Sequence, residues 1–300
     1  MREEKRGVVG VFGATGFIGR RLMAGLRRDG WETVGFSRRL PPGEDAWRSS
    51  AGDLDLGGLD GVVNLAGESV AQRWTAAVRE RCRDSRVGLT ERIVDSLAGM
   101  PVPIRPGWLI NASAVGYYGP RGDEILTEEE GAGTDYLAEL CRDWEAATEG
   151  ATELGLRVVR LRIGIVLGPG GDAWTRLSRV FRLGIGGTLG NGRQWMPWIH
   201  VDDVVGAILL AIGRDDLSGP LNLGAPEPVR NAEFTKALAK QLRRPAVFRV
   251  PGIALKAALG GFGGTLVASY RMLPERLSNV GYEFRHPRLE EALADLDQAE

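Results

Sequence analysis

Three glycines near the start of the chain, Gly13, Gly16 and Gly19, stand at three-residue spacing directly after the apolar run Val8, Val9, Val11, Phe12. A glycine turn lets backbone approach a pyrophosphate closely. A helix that follows the turn offers unpaired N–H groups and a partial positive charge to the same phosphates. Thr15 adds a hydroxyl donor, Phe17 and Ile18 complete the stretch, and Gly19 lets helix and sheet pack tightly. A second chemical signal is Ser37-Arg38-Arg39. An NAD-specific fold places Asp or Glu there for the ribose 2′-OH, whereas a guanidinium attracts a 2′-phosphate. The plainer reading of the pair is two solvated arginines on a loop. Together the two signals predict a dinucleotide cofactor, and NADP(H) rather than NAD(H).

These groups need a strand, a turn and a helix to hold them, and the pattern supplies that unit repeatedly. Residues 8–12 read as a buried parallel strand, and residues 20–28 as a helix with Leu22, Met23 and Leu26 on one stripe. Further strands are expected at 32–37, 60–65, 108–113, 156–163 and 221–224. Helices are expected at 75–97, 134–154, 173–183 and 231–242, the last capped by Asn231. Pro41, Pro42 and Gly43 mark 40–51 as a loop. Residues 120–134 read as a mobile flap, with Glu128, Glu129 and Glu130 a solvated run. His200 beside Asp202 and Asp203 reads as a structural hydrogen bonder at a helix start. Strands alternating with helices predict an α/β fold, a doubly wound parallel sheet of Rossmann type. Residues 1–170 are expected to form the dinucleotide-binding domain, with elements of 200–225 returning to it. Residues 171–300 would form a small C-terminal substrate lobe.

The bulk numbers narrow the partners. A net charge of −1 gives no sign of nucleic-acid or membrane-surface binding. Two cysteines, Cys82 and Cys141, without a Cys-x-x-Cys pair suit a reducing cytoplasm, and the charged start at residues 1–6 reads as no signal peptide. Residues 252–268 are weakly polar but broken by Lys256 and glycines, a poor membrane span. With two histidines and two cysteines, little is left for a zinc site, and no metal is expected.

The glycine spacing resembles the extended short-chain dehydrogenase/reductase superfamily, which includes sugar-nucleotide epimerases and dehydratases. Asn64-Leu65-Ala66-Gly67-Glu68, Asp84-Ser85-Arg86, residues 113–119 and Cys141-x-x-Trp144-Glu145 narrow the likeness. So do Leu273-Pro274 and Gly281-Tyr282-Glu283-Phe284-x-x-Pro287. They resemble one atypical branch, an epimerase-family group labelled SulA-like, with the plant giant-chloroplast protein among its relatives. The resemblance covers almost the whole chain. It implies that Asp53 and Leu54 border the adenine, that Leu65, Ala66, Gly67 and Ala112 lie against the cofactor, and that Ser113 is the catalytic serine.

The chain also departs from the superfamily. Arg86 stands where an Asn is common. The helix that should carry Tyr-x-x-x-Lys has no lysine, whether the pair is set at Tyr136 and Leu140 or at Leu137 and Cys141. Tyr117, Tyr118 and Glu68 are the candidate proton carriers that remain. Without a lysine a phenol should stay near its reference pKa of about 10, so proton transfer would be slow. The competing reading has both tyrosines packing and hydrogen-bonding in a turn. The expected function is an NADP(H)-dependent oxidoreductase or epimerase-like enzyme on an unknown small molecule. The alternative is a catalytically silent, cofactor-sensing protein acting through a partner, in cell division by the branch's label. Extended members often pair through the long helices, here 75–97 and 134–154, which points to a homodimer.

Overall fold

Along each central strand the side chains alternate between two cores. Val9 and Val11 enter one cluster and Phe12 the other; Val63 and Val62 divide likewise, as do Ile110 and Leu109. A strand buried on both faces reads as a continuous apolar run, which is why these segments were legible. The computed structural model describes residues 6–39 and 46–298. Its seven-stranded sheet comprises β1 (Val8–Phe12), β2 (Glu32–Ser37), β3 (Trp47–Ser49), β4 (Gly61–Asn64), β5 (Trp108–Ala114), β6 (Arg157–Ile163) and β7 (Gly219–Leu223). The order is β7-β6-β5-β4-β1-β2-β3, every pair parallel. This is a doubly wound α/β sheet whose strand order reverses between β1 and β4.

One face is covered by α1 (Phe17–Arg28) and α5 (Val201–Gly213). The other is covered in part by α3 (Leu89–Ala98), through Ile93 and Leu97. α2 (Ala76–Arg83) runs into α3 through a π-turn at Asp84–Gly88. α4 (Tyr136–Ala146) lies beside the end of β5. A third cluster joins Trp174 and Trp198 to Phe234 and Leu238 of α6 (Asn231–Gln241). Leu289, Leu293 and Leu296 of α7 (Leu289–Gln298) complete it. The C-terminal stretch also reaches the sheet's own core. Leu277 is buried there, and the Asp203 carboxylate accepts from the backbone N–H groups of Arg285 (2.7 Å) and His286 (3.0 Å). No helix among the described residues is long and apolar enough to cross a membrane.

Several local expectations need correction. α1 begins at Phe17, three residues earlier than the stripe suggested, because Gly16 already has extended backbone and the turn feeds straight into the helix. The stretch 40–51 holds an edge strand, since Trp47–Ser49 pairs with β2; residues 40–45 lie outside the described residues. The helix expected at 134–154 breaks. Thr148 Oγ1 donates to the Glu145 carbonyl at 2.6 Å and ends the first segment, and a short helix follows at Glu149–Glu153. Asn231 is the first residue of α6 rather than its cap, and its side-chain oxygen accepts from Leu189 N at 2.8 Å instead.

The acidic stretch 120–134 is tied down. Ile125–Leu126 pairs with Arg271–Met272, and Glu128, 4 % exposed, accepts from the backbone N–H groups of Asn222 (3.0 Å) and Arg276. Burial pushes its carboxyl above the ordinary range. Glu128 is therefore a buried acceptor and not part of a solvated run. Its partners lie too far away in sequence to be read from it.

Candidate functional site

The turn after β1 lies where the strand order reverses, against the chain leaving β4. Gly13 has φ +75°, and a Cβ there would stand 2.8 Å from the Leu65 carbonyl carbon and 2.9 Å from Ala66 N. A Cβ on Gly19 would overlap the Gly13 carbonyl oxygen. Packing alone explains both glycines. Gly16 is different: it is exposed, its φ is −75°, and a Cβ would touch only the Gly13 oxygen, at 3.0 Å. The space in front of Gly16 is open. α1 starts there with no side-chain cap and no acid in its first turn, so its leading N–H groups face that space with the helix's positive end.

The remaining cofactor candidates surround this turn unevenly. Thr15 is exposed at its rim. The Phe17 ring fills the space beside Gly168 and Gly171, and Ile18 packs against the core. Arg38 and Arg39 are exposed at the end of β2 and make no ion pair among the described residues; Ser37 Oγ accepts from Arg39 N at 3.4 Å. Leu65 and Ala66 are half-buried behind the turn, and Gly67 is exposed. Asp53 is exposed, while Leu54 is buried in the core with Phe12 and Phe36. Ala112, within β5, is buried among Cys82, Leu140 and Trp144.

At the end of β5 the chemistry is of another kind. Ser113, 3 % exposed, donates to Glu145 Oε1 at 2.7 Å. Arg162 of β6 grips both oxygens of the same carboxylate, at 2.9 and 3.0 Å. Burial works against charge on Arg162, but the bidentate carboxylate outweighs it and holds the guanidinium above its ordinary pKa. Tyr118 closes the chain: its O–H donates to Asn222 Oδ1 at 2.6 Å and its oxygen accepts from Arg162 at 3.0 Å. Burial raises the Tyr118 phenol to about 12, with Arg162 pulling weakly the other way. Fully buried and fully bonded, Tyr118 cannot reach a ligand, which corrects its place among the proton carriers.

Tyr117 is half-buried, carries the Arg162 guanidinium 3.6 Å above its ring, and its O–H has no partner among the described residues. Glu68 is held by Arg81 at 3.1 Å and reached by Gln72, and these hydrogen bonds depress its carboxyl pKa. It is ionised near neutrality and has no proton to give. Leu137 and Cys141, the second of the two alignments for the missing pair, lie against Gly116 just past Ser113. Burial pushes the Cys141 thiol up to about 12, so it is inert.

Sequence reasoning assigned no role to Glu145, Arg162 or Asn222. One signal was available: β6 carries three arginines, Arg157, Arg160 and Arg162, among its apolar residues, and a charge that such a strand buries has to be paired. His200 Nδ1 caps α5 by accepting from Asp202 N at 3.2 Å. His200, Asp202 and His286 place ligand atoms within 4.8 Å of one another. Burial, followed by His286, lowers the His200 pKa to about 4, and the ring works as a neutral cap.

The comparisons with known proteins fall on the same elements. A model of the NAD dependent epimerase/dehydratase family matches residues 9–224, and a domain of unknown function matches 250–296. An epimerase family protein of Mycobacterium bovis is 42% identical over 293 residues, covering 95% of this chain and 96% of that one. A chloroplastic SDR39U1 homologue of Arabidopsis thaliana is 36% identical, covering 99% and 88%. The crystal structure of human epimerase family protein SDR39U1 with NADPH superposes with a TM-score of 0.88 at 30% identity, covering 97% of this chain and 99% of that one. The match runs from the first strand of the sheet to the end of its last, over more than half of the chain, and the chain belongs to the NAD dependent epimerase/dehydratase family.

Proposed function

We propose that the chain binds NADP(H) at the β1–β4 switch point and acts as an oxidoreductase or epimerase-like enzyme on a small molecule. The observation that carries this reading is Gly16: packing requires Gly13 and Gly19, whereas the space in front of Gly16 is open at the uncapped start of α1, where a phosphate fits. A Cβ-free surface beside uncapped helix N–H groups fits a pyrophosphate. Arg38 and Arg39, exposed and without an ion pair among the described residues, fit a 2′-phosphate. That human SDR39U1 was crystallised with NADPH supports the same assignment. The cofactor, when bound, supplies or accepts a hydride. The protein's own part is to orient the two reactants, exclude water and handle a proton, and for the last task Tyr117 is the phenol left free.

One observation favours a second reading, a cofactor-binding protein without turnover that acts through a partner. Ser113 spends its proton on Glu145, and Tyr118 is sealed by Arg162 and Asn222. Titration with NADPH and NADH, followed by a carbonyl-substrate screen of the NADPH complex, separates the readings. Turnover that falls at least ~100-fold in Tyr117→Phe with NADPH affinity intact supports the enzyme. Tight NADPH binding without turnover across the panel supports the binding protein. A chain that binds neither cofactor overturns both.

A further inference from the structure

Arg86 sits in the π-turn between α2 and α3. A Cβ built on exposed Gly67 would lie 3.0 Å from Arg86 Cζ and 3.1 Å from one terminal nitrogen, so the guanidinium lies directly beside the chain leaving β4. It is half-buried, 5.2 Å from the Trp144 ring centre, and donates to the Cys82 carbonyl at 3.3 Å, with the Cys82 thiol also within its reach. No carboxylate pairs with it among the described residues. The nearby Glu68 is already taken by Arg81. The groups around Arg86 are the neutral Cys82, Cys141 and Tyr136, with the Glu68 carboxylate acting on it less strongly. Burial accordingly depresses the pKa of Arg86.

A guanidinium has five N–H donors in a planar fork, and a half-buried one held only by the carbonyl and thiol of Cys82 has donors to spare. Two other buried or half-buried arginines are provided for, whereas the half-buried Arg271 leaves its Nε without a partner among the described residues. Arg162 holds Glu145, and Arg157 bonds three backbone carbonyls. The phosphates of a dinucleotide do not need Arg86 either, because the Gly16 turn faces the pyrophosphate position and Arg38 and Arg39 the 2′ position. Arg86 lies past β4, over Trp144 of α4, which packs in turn against Ala112 of β5.

We propose that Arg86 is the anchor for an oxyanion of the substrate, so that this site selects carbonyl or alcohol compounds bearing a carboxylate or a phosphate. The proposal rests on the NADP(H)-dependent reading above for the words carbonyl and alcohol, but the anion site itself does not depend on it. The test is therefore made with and without NADPH, reading intrinsic tryptophan fluorescence, to which Trp144 under the guanidinium contributes. One arm titrates 2-oxo acids of three to six carbons against their methyl esters; the other titrates glyceraldehyde 3-phosphate against glyceraldehyde.

The acid or the phosphate should bind at least ~10-fold tighter than its neutral counterpart. The arm that shows the difference names the anion. In Arg86→Met the difference should vanish, while Arg86→Lys should keep part of it and NADPH affinity should stay within ~3-fold. Circular dichroism checks that both variants fold, and if Arg86→Met does not, Arg86→Lys and Arg86→Gln take its place. Equal binding of charged and neutral partners, binding of neither, or a preference that survives Arg86→Met overturns the proposal. So does a large loss of NADPH affinity in the variants, which would hand Arg86 to the cofactor. A wild-type chain that ignores NADPH but still discriminates the anions refutes the cofactor reading and leaves the anion site standing.

Discussion

The glycine turn after β1 and the ledge beneath Ser113 after β5 flank the same crevice, with only β4 between them, yet they are made of different material. The turn is backbone: thirteen consecutive residues, 7–19, contain the strand, the three glycines and the helix start. The ledge is side chain. Ser113 meets Glu145 across 32 residues, Arg162 meets Tyr118 across 44, and Tyr118 meets Asn222 across 104. The first is open and poised for a ligand; the second is closed on itself. A site built from backbone N–H groups loses its ligand when a side chain intrudes but keeps its fold. A site built from buried charge loses its fold first.

The largest expected effect is on the ledge. Glu145→Ala leaves the Arg162 guanidinium, 4 % exposed, without its carboxylate. Breaking a buried ion pair from one side costs about 3–5 kcal/mol, to be measured by urea unfolding. A loss under about 1 kcal/mol would mean that the network is not what holds β5 and β6 to α4.

Next comes the turn. Gly16→Val should lower NADPH affinity by at least ~100-fold, because a branched side chain fills the phosphate's place, while stability changes by less than about 1 kcal/mol. Equal NADPH binding by the variant would remove the turn from the cofactor site. Third, Arg38→Ala and Arg39→Ala should each weaken NADPH by roughly tenfold and leave NADH unchanged, since a charge-assisted contact contributes about 1.5–3 kcal/mol and exposure reduces it. An equal loss for both cofactors would show that the arginines do not read the 2′-phosphate.

The smallest effect is expected at Glu68. Its carboxylate is already ionised and paired with Arg81, so Glu68→Gln should change turnover by less than about twofold if Tyr117 carries the proton. A ~100-fold loss would move the proton chemistry from the β5 end of the crevice to the β4 end.

What the sequence by itself determined is whatever depends on near neighbours. Val8 to Gly19 are contiguous, so strand, turn and helix could be read off directly, and alternation of strands with helices then gave the parallel sheet. The resemblance of the Gly13-Gly16-Gly19 spacing to short-chain dehydrogenases pointed to the family that the match over residues 9–224 establishes. Tertiary structure decided everything that needs a partner from far along the chain. Glu128 looks solvated in a run of glutamates and becomes a buried acceptor only because Asn222 and Arg276 arrive beside it. Tyr117 and Tyr118 are adjacent in sequence, but one is sealed by Asn222 and the other left free, a distinction that no local pattern carries. Arg86 registers in sequence as a missing Asn and as part of Asp84-Ser85-Arg86; that no carboxylate among the described residues pairs with it is a property of the space around it. Local backbone preference acts within a few residues, whereas burial and charge pairing are settled by whichever elements the fold brings together.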